Sequence, residues 1–425
     1  MLRFYNAKIL TFQHGLNIID GEVWTDGGAI ALVGKPSDAA PRPAFEREID
    51  LSGKLIMPGF KNAHTHTAMT LFRSLADDMP LDPWLNERIW PNEAKLTGEA
   101  VYDFTKLGIL EYLSSGVTAC FDMYMKNDYY AKACVDAGFR TVICSSLNRF
   151  DADPENIERE YLKFNDYNQL VSYVLGIHAE YTTPVERIEY MAALAEKYKA
   201  PCFTHLSETR GEVEGCRERY GLTPPQLLDK LGFFKYGGGG FHCVWLDEAD
   251  IALMAEKKLW AVTCPGSNAK LASGVAPIDR LAEAGVPLAV GTDGAGSNNA
   301  LDMFREMYLV SVLQKLLCAD AAAGDAARTL EMACVGSARA MGLNDCDDVA
   351  VGKRADLAVI DLDKPNMRPI NDIAKNLVYS GSKDNVYMTV VNGRILYENG
   401  EFSIGESAGD IYARCDAWRK RIIAR

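Results

Sequence analysis

Five of the six histidines in this 425-residue chain stand at or near the ends of short apolar runs. His64 and His66 end the run Leu55–His66, His178 the run Tyr173–Ala179, His205 the run Cys202–Leu206, and His242 the run Gly240–Val244. Asp293 ends another, Pro287–Asp293, and only His14 lies elsewhere, as an unremarkable surface residue. Any one of these histidines alone reads as structural; five at run ends read as a site. Alternate residues of a strand face the same side, so His64 and His66 can chelate one ion together. His205 and Asp293 approach from other strands and complete the shell, leaving one position for water. Three imidazoles and a carboxylate suit Zn²⁺ best, and Fe²⁺ or Mn²⁺ also fit. No lysine is placed to bridge two ions as a carbamate, so one divalent ion is expected.

Glu208 follows His205 by three residues, in Thr204-His205-Leu206-Ser207-Glu208-Thr209. Just past a strand end, its carboxylate can move protons between water and a substrate. The other reading of the same residue is a helix N-terminal acid. A competing zinc signature, His-x-Glu followed by Pro-Cys-x-x-Cys, marks one class of base deaminases. His178-Ala179-Glu180 supplies its first half, but Pro201-Cys202 continues as Phe203-Thr204-His205 and the pattern fails.

Groups so far apart need a scaffold that gathers strand ends. Eight apolar runs qualify as strands: Leu55–His66, Val117–Met123, Phe139–Leu147, Tyr173–Ala179, Cys202–Leu206, Gly240–Val244, Trp260–Cys264 and Pro287–Asp293. Between them, stretches such as Val185–Lys199 and Ala276–Gly285 carry apolar residues at helical spacing. An open α/β sheet shares this alternation. Eight repeats closing on themselves make a (β/α)8 TIM-type barrel, whose chemistry sits at the C-terminal ends of the strands. The barrel is expected over residues 57–349. Residues 1–56 and 350–425 hold shorter strand-like pieces, with Asn392-Gly393 as a hairpin turn. The two flanks are expected to join as one small β-sandwich. A terminal helix from Asp410 places Ile411, Cys415, Trp418 and Ile422 on one face for packing. The run Gly237–Gly240 reads as a flexible entry into the sixth strand.

Composition narrows the function classes. The chain is 48% apolar and 24% charged, the balance of a globular protein. Its formal net charge of −13 disfavours a nucleic-acid partner, which needs excess Lys and Arg. No apolar run reaches the roughly 18 residues of a membrane span, and the start lacks a signal-peptide core. The 11 cysteines never form Cys-x-x-Cys and read as reduced thiols of a cytoplasmic protein.

The ordered motifs resemble the amidohydrolase superfamily: Pro58-Gly59-Phe60-Lys61-Asn62-Ala63-His64-Thr65-His66, Thr204-His205-Leu206-Ser207-Glu208, His242-Cys243-Val244 and Gly291-Thr292-Asp293-Gly294. Ile89-Trp90-Pro91-Asn92-Glu93, Ser267-Asn268-Ala269-Lys270 and Gly296-Ser297-Asn298-Asn299 are similar to its 5-methylthioadenosine/S-adenosylhomocysteine deaminases. The resemblance implies that His64, His66, His205 and Asp293 hold the metal and that Glu208 shuttles protons. It further implies that His242 hydrogen-bonds the reacting oxygen, that Glu93 binds ribose hydroxyls and that His178 assists at the substrate. Trp84 and Trp90 could wall a purine pocket, or be plain core. Relatives acting on S-adenosylhomocysteine are expected to offer arginines to its carboxylate, one near the end of strand three. There this chain reads Cys144-Ser145-Ser146-Leu147-Asn148-Arg149, and Arg149 is either that group or a surface residue. The implied reaction is hydrolytic deamination of an adenosine derivative by a homo-oligomeric enzyme, with a nucleoside and water as its partners. Similar sites in the superfamily act on guanine, pterins and chlorotriazines.

Overall fold

Alternation of buried and half-exposed residues over the first fifty positions forms four strands, β1 (Leu2–Thr11), β2 (Asn17–Asp26), β3 (Ala29–Gly34) and β4 (Arg47–Asp50). The computed structural model describes residues 1–36, 42–80, 83–151 and 153–423. Strand β1 pairs antiparallel with β2, and on its other edge parallel with β4 and with β5 (Lys54–Pro58). The run Leu55–His66, which reads as one strand, is two. The Gly59 N–H donates to Asp356 O at 2.9 Å, on the small-sheet side, whereas the next N–H, of Phe60, donates to Gly116 O at 3.0 Å. The chain therefore passes between sheets at one residue. Both strands are buried, so their apolar continuity hides the joint.

From there β6 (Phe60–Thr65), β7 (Val117–Asp122), β8 (Arg140–Cys144), β9 (Val171–Ala179), β10 (Cys202–Leu206), β11 (Gly238–His242), β12 (Trp260–Thr263) and β13 (Leu288–Val290) pair in parallel, each with the next. Phe121, Phe203, Phe241 and Val262 fill the space inside. Residues past β13 close the cylinder onto β6. Thr292 N donates to Asn62 Oδ1 at 2.8 Å, and Asp293 N donates to His64 O at 2.9 Å. A Cβ at Gly291 would lie 2.6 Å from His64 N, so a side chain there would hold the last strand off the first. The glycine run Gly237–Gly240 is not a flexible entry. Gly238, Gly239 and Gly240 are strand residues, each pressed against a neighbouring strand where a Cβ would overlap Cys202 O, Trp260 O or the Leu206 side chain.

After the barrel, β14 (Leu357–Asp361) pairs antiparallel with β5, and β15 (Val386–Val391), β16 (Arg394–Glu398) and β17 (Glu401–Phe402) extend the edge. Both flanks thus build one mixed sheet, nine-stranded among the described residues, with its own core of Phe4, Ile9, Val23, Leu357 and Val390. Asn392 and Gly393 turn the β15–β16 hairpin with φ of 49° and 75°, as a two-residue turn requires. The terminal helix Ala408–Ile422 packs on the barrel rather than on this sheet: Trp418 Nε1 and Arg414 Nε donate to Asp103, in the helix Gly98–Ser114, at 2.8 and 2.7 Å. Among the described residues, no helix is long and apolar enough to cross a membrane, and all 11 cysteines are free, with only Cys318 exposed.

Candidate active site

The strand ends bring His64, His66, His205, His242 and Asp293 into one buried cluster. His64 is wholly buried, its ring stacked on Phe241 at 3.9 Å, and neither of its nitrogens has a hydrogen-bond partner among the described residues. Leaving such a group unsatisfied costs about 1–3 kcal/mol. Around it stand His66 and His205, each with ring centroid 4.9 Å away, and His242 at 5.6 Å. His66 donates Nδ1–H to Met123 O, and His205 donates Nδ1–H to His178 O at 2.6 Å. Those backbone bonds fix the tautomers and leave both Nε2 atoms to the cluster, the arrangement common to metal-ligating histidines. Asp293 Oδ1 lies 3.2 Å from His66 Nε2 and 3.7 Å from His64 Nε2. His64, His66 and Asp293, and likewise His64, His205 and His242, each present ligand atoms within 4.8 Å of one another. A nitrogen-rich donor set with one carboxylate and an orphaned central imidazole fits a divalent metal ion.

Local backbone and hydrogen bonds aim these groups. Asp293 and His242 adopt left-handed φ of 60° and 72°, which non-glycine residues hold only at a cost of about 1–3 kcal/mol. Asp293 Oδ2 accepts from Ser267 Oγ and Ser297 Oγ, both at 2.6 Å, while Oδ1 accepts from Gly294 N at 2.7 Å. Burial opposes its ionisation, but His66 and the other nearby histidines outweigh that and hold the carboxyl well below the usual range. His242 directs Nδ1 to Asn268 Oδ1 at 2.8 Å, and its Nε2 lies 3.7 Å from Glu208 Oε2. Glu208 is buried, which raises its pKa, and Oε1 accepts from Ser273 Oγ at 3.2 Å. It precedes the helix Arg210–Tyr220, whose N-cap is Thr209. The bland role belongs to Glu212, whose carboxylate accepts the N–H groups of Ser207 and Glu208 at 2.9 and 2.8 Å.

A cavity of about 630 Å³ opens onto the cluster, with His66, His178, His205, Glu208, His242 and Asp293 at one end and Trp84, Trp90, Glu93 and Tyr124 along its walls. Glu93 Oε1 accepts from Tyr124 OH at 2.7 Å. Thr182 Oγ1 donates to Ala179 O at 3.1 Å and so accepts from His178 Nδ1 at 2.9 Å, which leaves His178 Nε2 available. Burial pushes His178 down to about 4, so its ring is neutral at pH 7. Arg149 is not brought to the cavity. Its guanidinium donates to the carbonyls of Tyr181 and Thr182, which hold it along the loop behind the wall. Glu180, half of the failed deaminase signature, is paired with Arg219 at 2.6 Å. Tyr124, Ser267, Asn268, Ser273 and Ser297 carry no signal of their own role in the sequence. Their only sequence clue is position, just past a strand end or inside the quoted motifs. A second cleft of about 670 Å³, lined by Arg210, Arg217, Trp245 and Arg280, shares none of these groups. Its guanidinium groups are paired with Glu214, Asp247 and Glu248, so size alone does not single out the site.

The model of the amidohydrolase family matches residues 55–396. The chain belongs to the amidohydrolase family. This amidohydrolase is 40% identical over 401 residues to the 5-methylthioadenosine/S-adenosylhomocysteine deaminase of Pelotomaculum thermopropionicum, covering 92% of each chain. It is 39% identical over 369 residues to the 5'-deoxyadenosine deaminase of Methanothermobacter thermautotrophicus, covering 84% of this chain and 85% of that one. The crystal structure of an adenosine deaminase from Xanthomonas campestris with bound zinc superimposes with a TM-score of 0.94 at 34% identity, covering 99% of this chain and 98% of that one.

Proposed function

We propose that this amidohydrolase removes the 6-amino group of an adenosine derivative by hydrolysis, giving an inosine-type product and ammonia. The observation that carries the reading is the orphaned, fully buried His64 at the centre of three further imidazoles and Asp293, with Glu208 beside it at the end of a cavity of nucleoside size. The named deaminases among its relatives support the same substrate class. In this reading His64, His66, His205 and Asp293 hold one divalent ion, with Zn²⁺ the best match to the donors and Fe²⁺ or Mn²⁺ also suited. When bound, the ion lowers the pKa of water to about 7 and so supplies a nucleophile at neutral pH.

The protein's own groups do the rest. Asp293, fixed by Ser267 and Ser297, accepts the proton that the water gives up. Glu208 protonates N1 of the adenine ring as C6 is attacked, and a second proton transfer turns the amine into leaving ammonia. His242, held through Nδ1 by Asn268, turns Nε2 towards the attacking water and accepts a hydrogen bond from it, which orients the nucleophile. Glu93, supported by Tyr124, binds the ribose hydroxyls, His178 Nε2 meets the substrate, and Trp84 walls the base. Arg149 has no part in this reading, because its guanidinium is engaged elsewhere.

Ammonia release and ultraviolet spectra with adenosine, 5-methylthioadenosine, 5'-deoxyadenosine and S-adenosylhomocysteine test the proposal. The expected result is an adenosine-to-inosine spectral shift with one ammonia per nucleoside, lost on chelation and restored by zinc. Turnover of guanine, a pterin or a triazine with no shift for any adenosine derivative would replace this reading.

A further inference from the structure

The cavity lining carries charge that the deamination chemistry leaves unused. Lys126 is the one Lys or Arg lining the cavity among the described residues. It is exposed, and no carboxylate or carbonyl partner of its ammonium is found among the described residues. Its polar neighbours at the start of the helix Asn127–Ala137 are engaged elsewhere: Asp128 pairs with Lys163, and Asn127 Nδ2 donates to Glu160 at 2.8 Å. Asp151 lines the same cavity from the loop after β8. Its Oδ2 accepts from Asn148 N at 2.7 Å, and Oδ1 has no donor among the described residues.

That loop is stiffly held. Arg187 donates to the carbonyls of Asn148 and Asp151, the latter at 2.9 Å, and Arg149 donates to Thr182 O at 3.3 Å. Phe150, between them, packs edge-on against Trp90 at 5.8 Å. Both arginines are thus engaged with main-chain oxygens, and among the described residues Lys126 and Asp151 are left as a free cation and a half-free carboxylate lining the same cavity.

With the amino group of the base at the histidines and the ribose at Glu93 and Tyr124, the 5' substituent points to what remains of the lining. Lys126 is only two residues beyond Tyr124. We propose that Lys126 and Asp151 read the charge of that substituent, Lys126 meeting a carboxylate and Asp151 an ammonium. The substituent they fit is a zwitterionic amino-acid chain, and neutral alkylthio groups gain nothing from the pair. This inference rests on the deaminase reading.

The experiment compares kcat/KM of the metal-loaded enzyme across 5-methylthioadenosine, S-adenosylhomocysteine and two 5'-thioadenosines bearing a 3-carboxypropyl or a 3-aminopropyl chain. In Lys126→Met the ratio of carboxypropyl to methyl substrate should fall about tenfold, the size of one lost charge-assisted hydrogen bond. The ratio for S-adenosylhomocysteine should fall with it, and Lys126→Arg should restore both. In Asp151→Asn the ratio of aminopropyl to methyl substrate should fall instead. Ratios unchanged within about twofold in both variants would overturn the inference while leaving the deaminase standing. A wild-type enzyme that leaves every one of these adenosine derivatives intact would instead bring down the deaminase reading, and this inference with it.

Discussion

The barrel has two ends, both rich in buried ionisable groups, and they are built in opposite ways. At the N-terminal end Arg140 and Asp356 form a buried bidentate pair, with Nε–Oδ2 at 2.6 Å and Nη2–Oδ1 at 3.1 Å, and Asn392 N adds a third bond to Asp356 at 2.7 Å. Beside them Lys61, fully buried, donates to Gly59 O at 2.8 Å. None of these side-chain atoms lacks a partner, and Arg140, Asp356 and Lys61 all keep ordinary negative φ. At the C-terminal end His64 has no partner for either nitrogen among the described residues, and His242 and Asp293 hold strained left-handed φ. Burial alone therefore does not mark function. Satisfied charge fastens the small sheet to the barrel floor, whereas unsatisfied imidazole and backbone strain mark the mouth, where a ligand must complete the structure.

Substitutions at the two ends should separate chemistry from stability. The largest effect is expected at the mouth. Glu208→Gln should keep its metal but lose about 10²–10⁴-fold in turnover, as for a general acid/base, in steady-state assays alongside metal analysis. A near-normal rate there would leave the mouth no more functional than the floor. At the floor, Arg140→Met should cost about 3–5 kcal/mol in urea unfolding, because it strands a buried carboxylate, while the folded variant keeps its turnover.

The acid dependence sharpens that contrast. Burial works against ionisation of Asp356, but the charge and hydrogen bonds of Arg140 outweigh it and hold the carboxyl below its usual range. A carboxyl lowered in the folded state contributes stability above its unfolded pKa of about 3.9, and that contribution is lost as pH falls through the lower folded value. The deficit of Arg140→Met should therefore be widest near neutral pH and shrink as the pH falls into the acid range, where the stranded carboxyl takes up a proton. The smallest effect is expected one bond away from the cluster. Ser297→Ala removes one of the two hydroxyl bonds to Asp293 Oδ2 and should weaken metal affinity about 10–100-fold, measured by competition with a chelator.

Much of the mouth was legible in the sequence because strand periodicity is a local rule. His64 and His66 share a face by spacing alone, and His205 and Asp293 sit at run ends that any barrel gathers. What tertiary contacts decide was not legible. Two buried strands in succession give no sign of the switch at Gly59 between sheets. The glycines before Phe241 look mobile until the neighbouring strands are placed against them. Arg149 stands near the right strand end, but the carbonyls of Tyr181 and Thr182 come from another loop and draw it away. Ser267, Ser297 and Tyr124 gain their roles only once Asp293 and Glu93 are beside them. The terminal helix showed its apolar face correctly but not its partner, since Asp103 lies some three hundred residues earlier in the chain.

Metal content of the purified protein, set against that of His66→Ala, tests the account most directly. Close to one equivalent of divalent ion is expected in the wild type, zinc among the metals that fill it, and almost none in the variant under the same loading. A folded wild-type protein that stays empty after zinc, iron and manganese have each been offered would contradict the account, and so would a variant that binds as well as its parent.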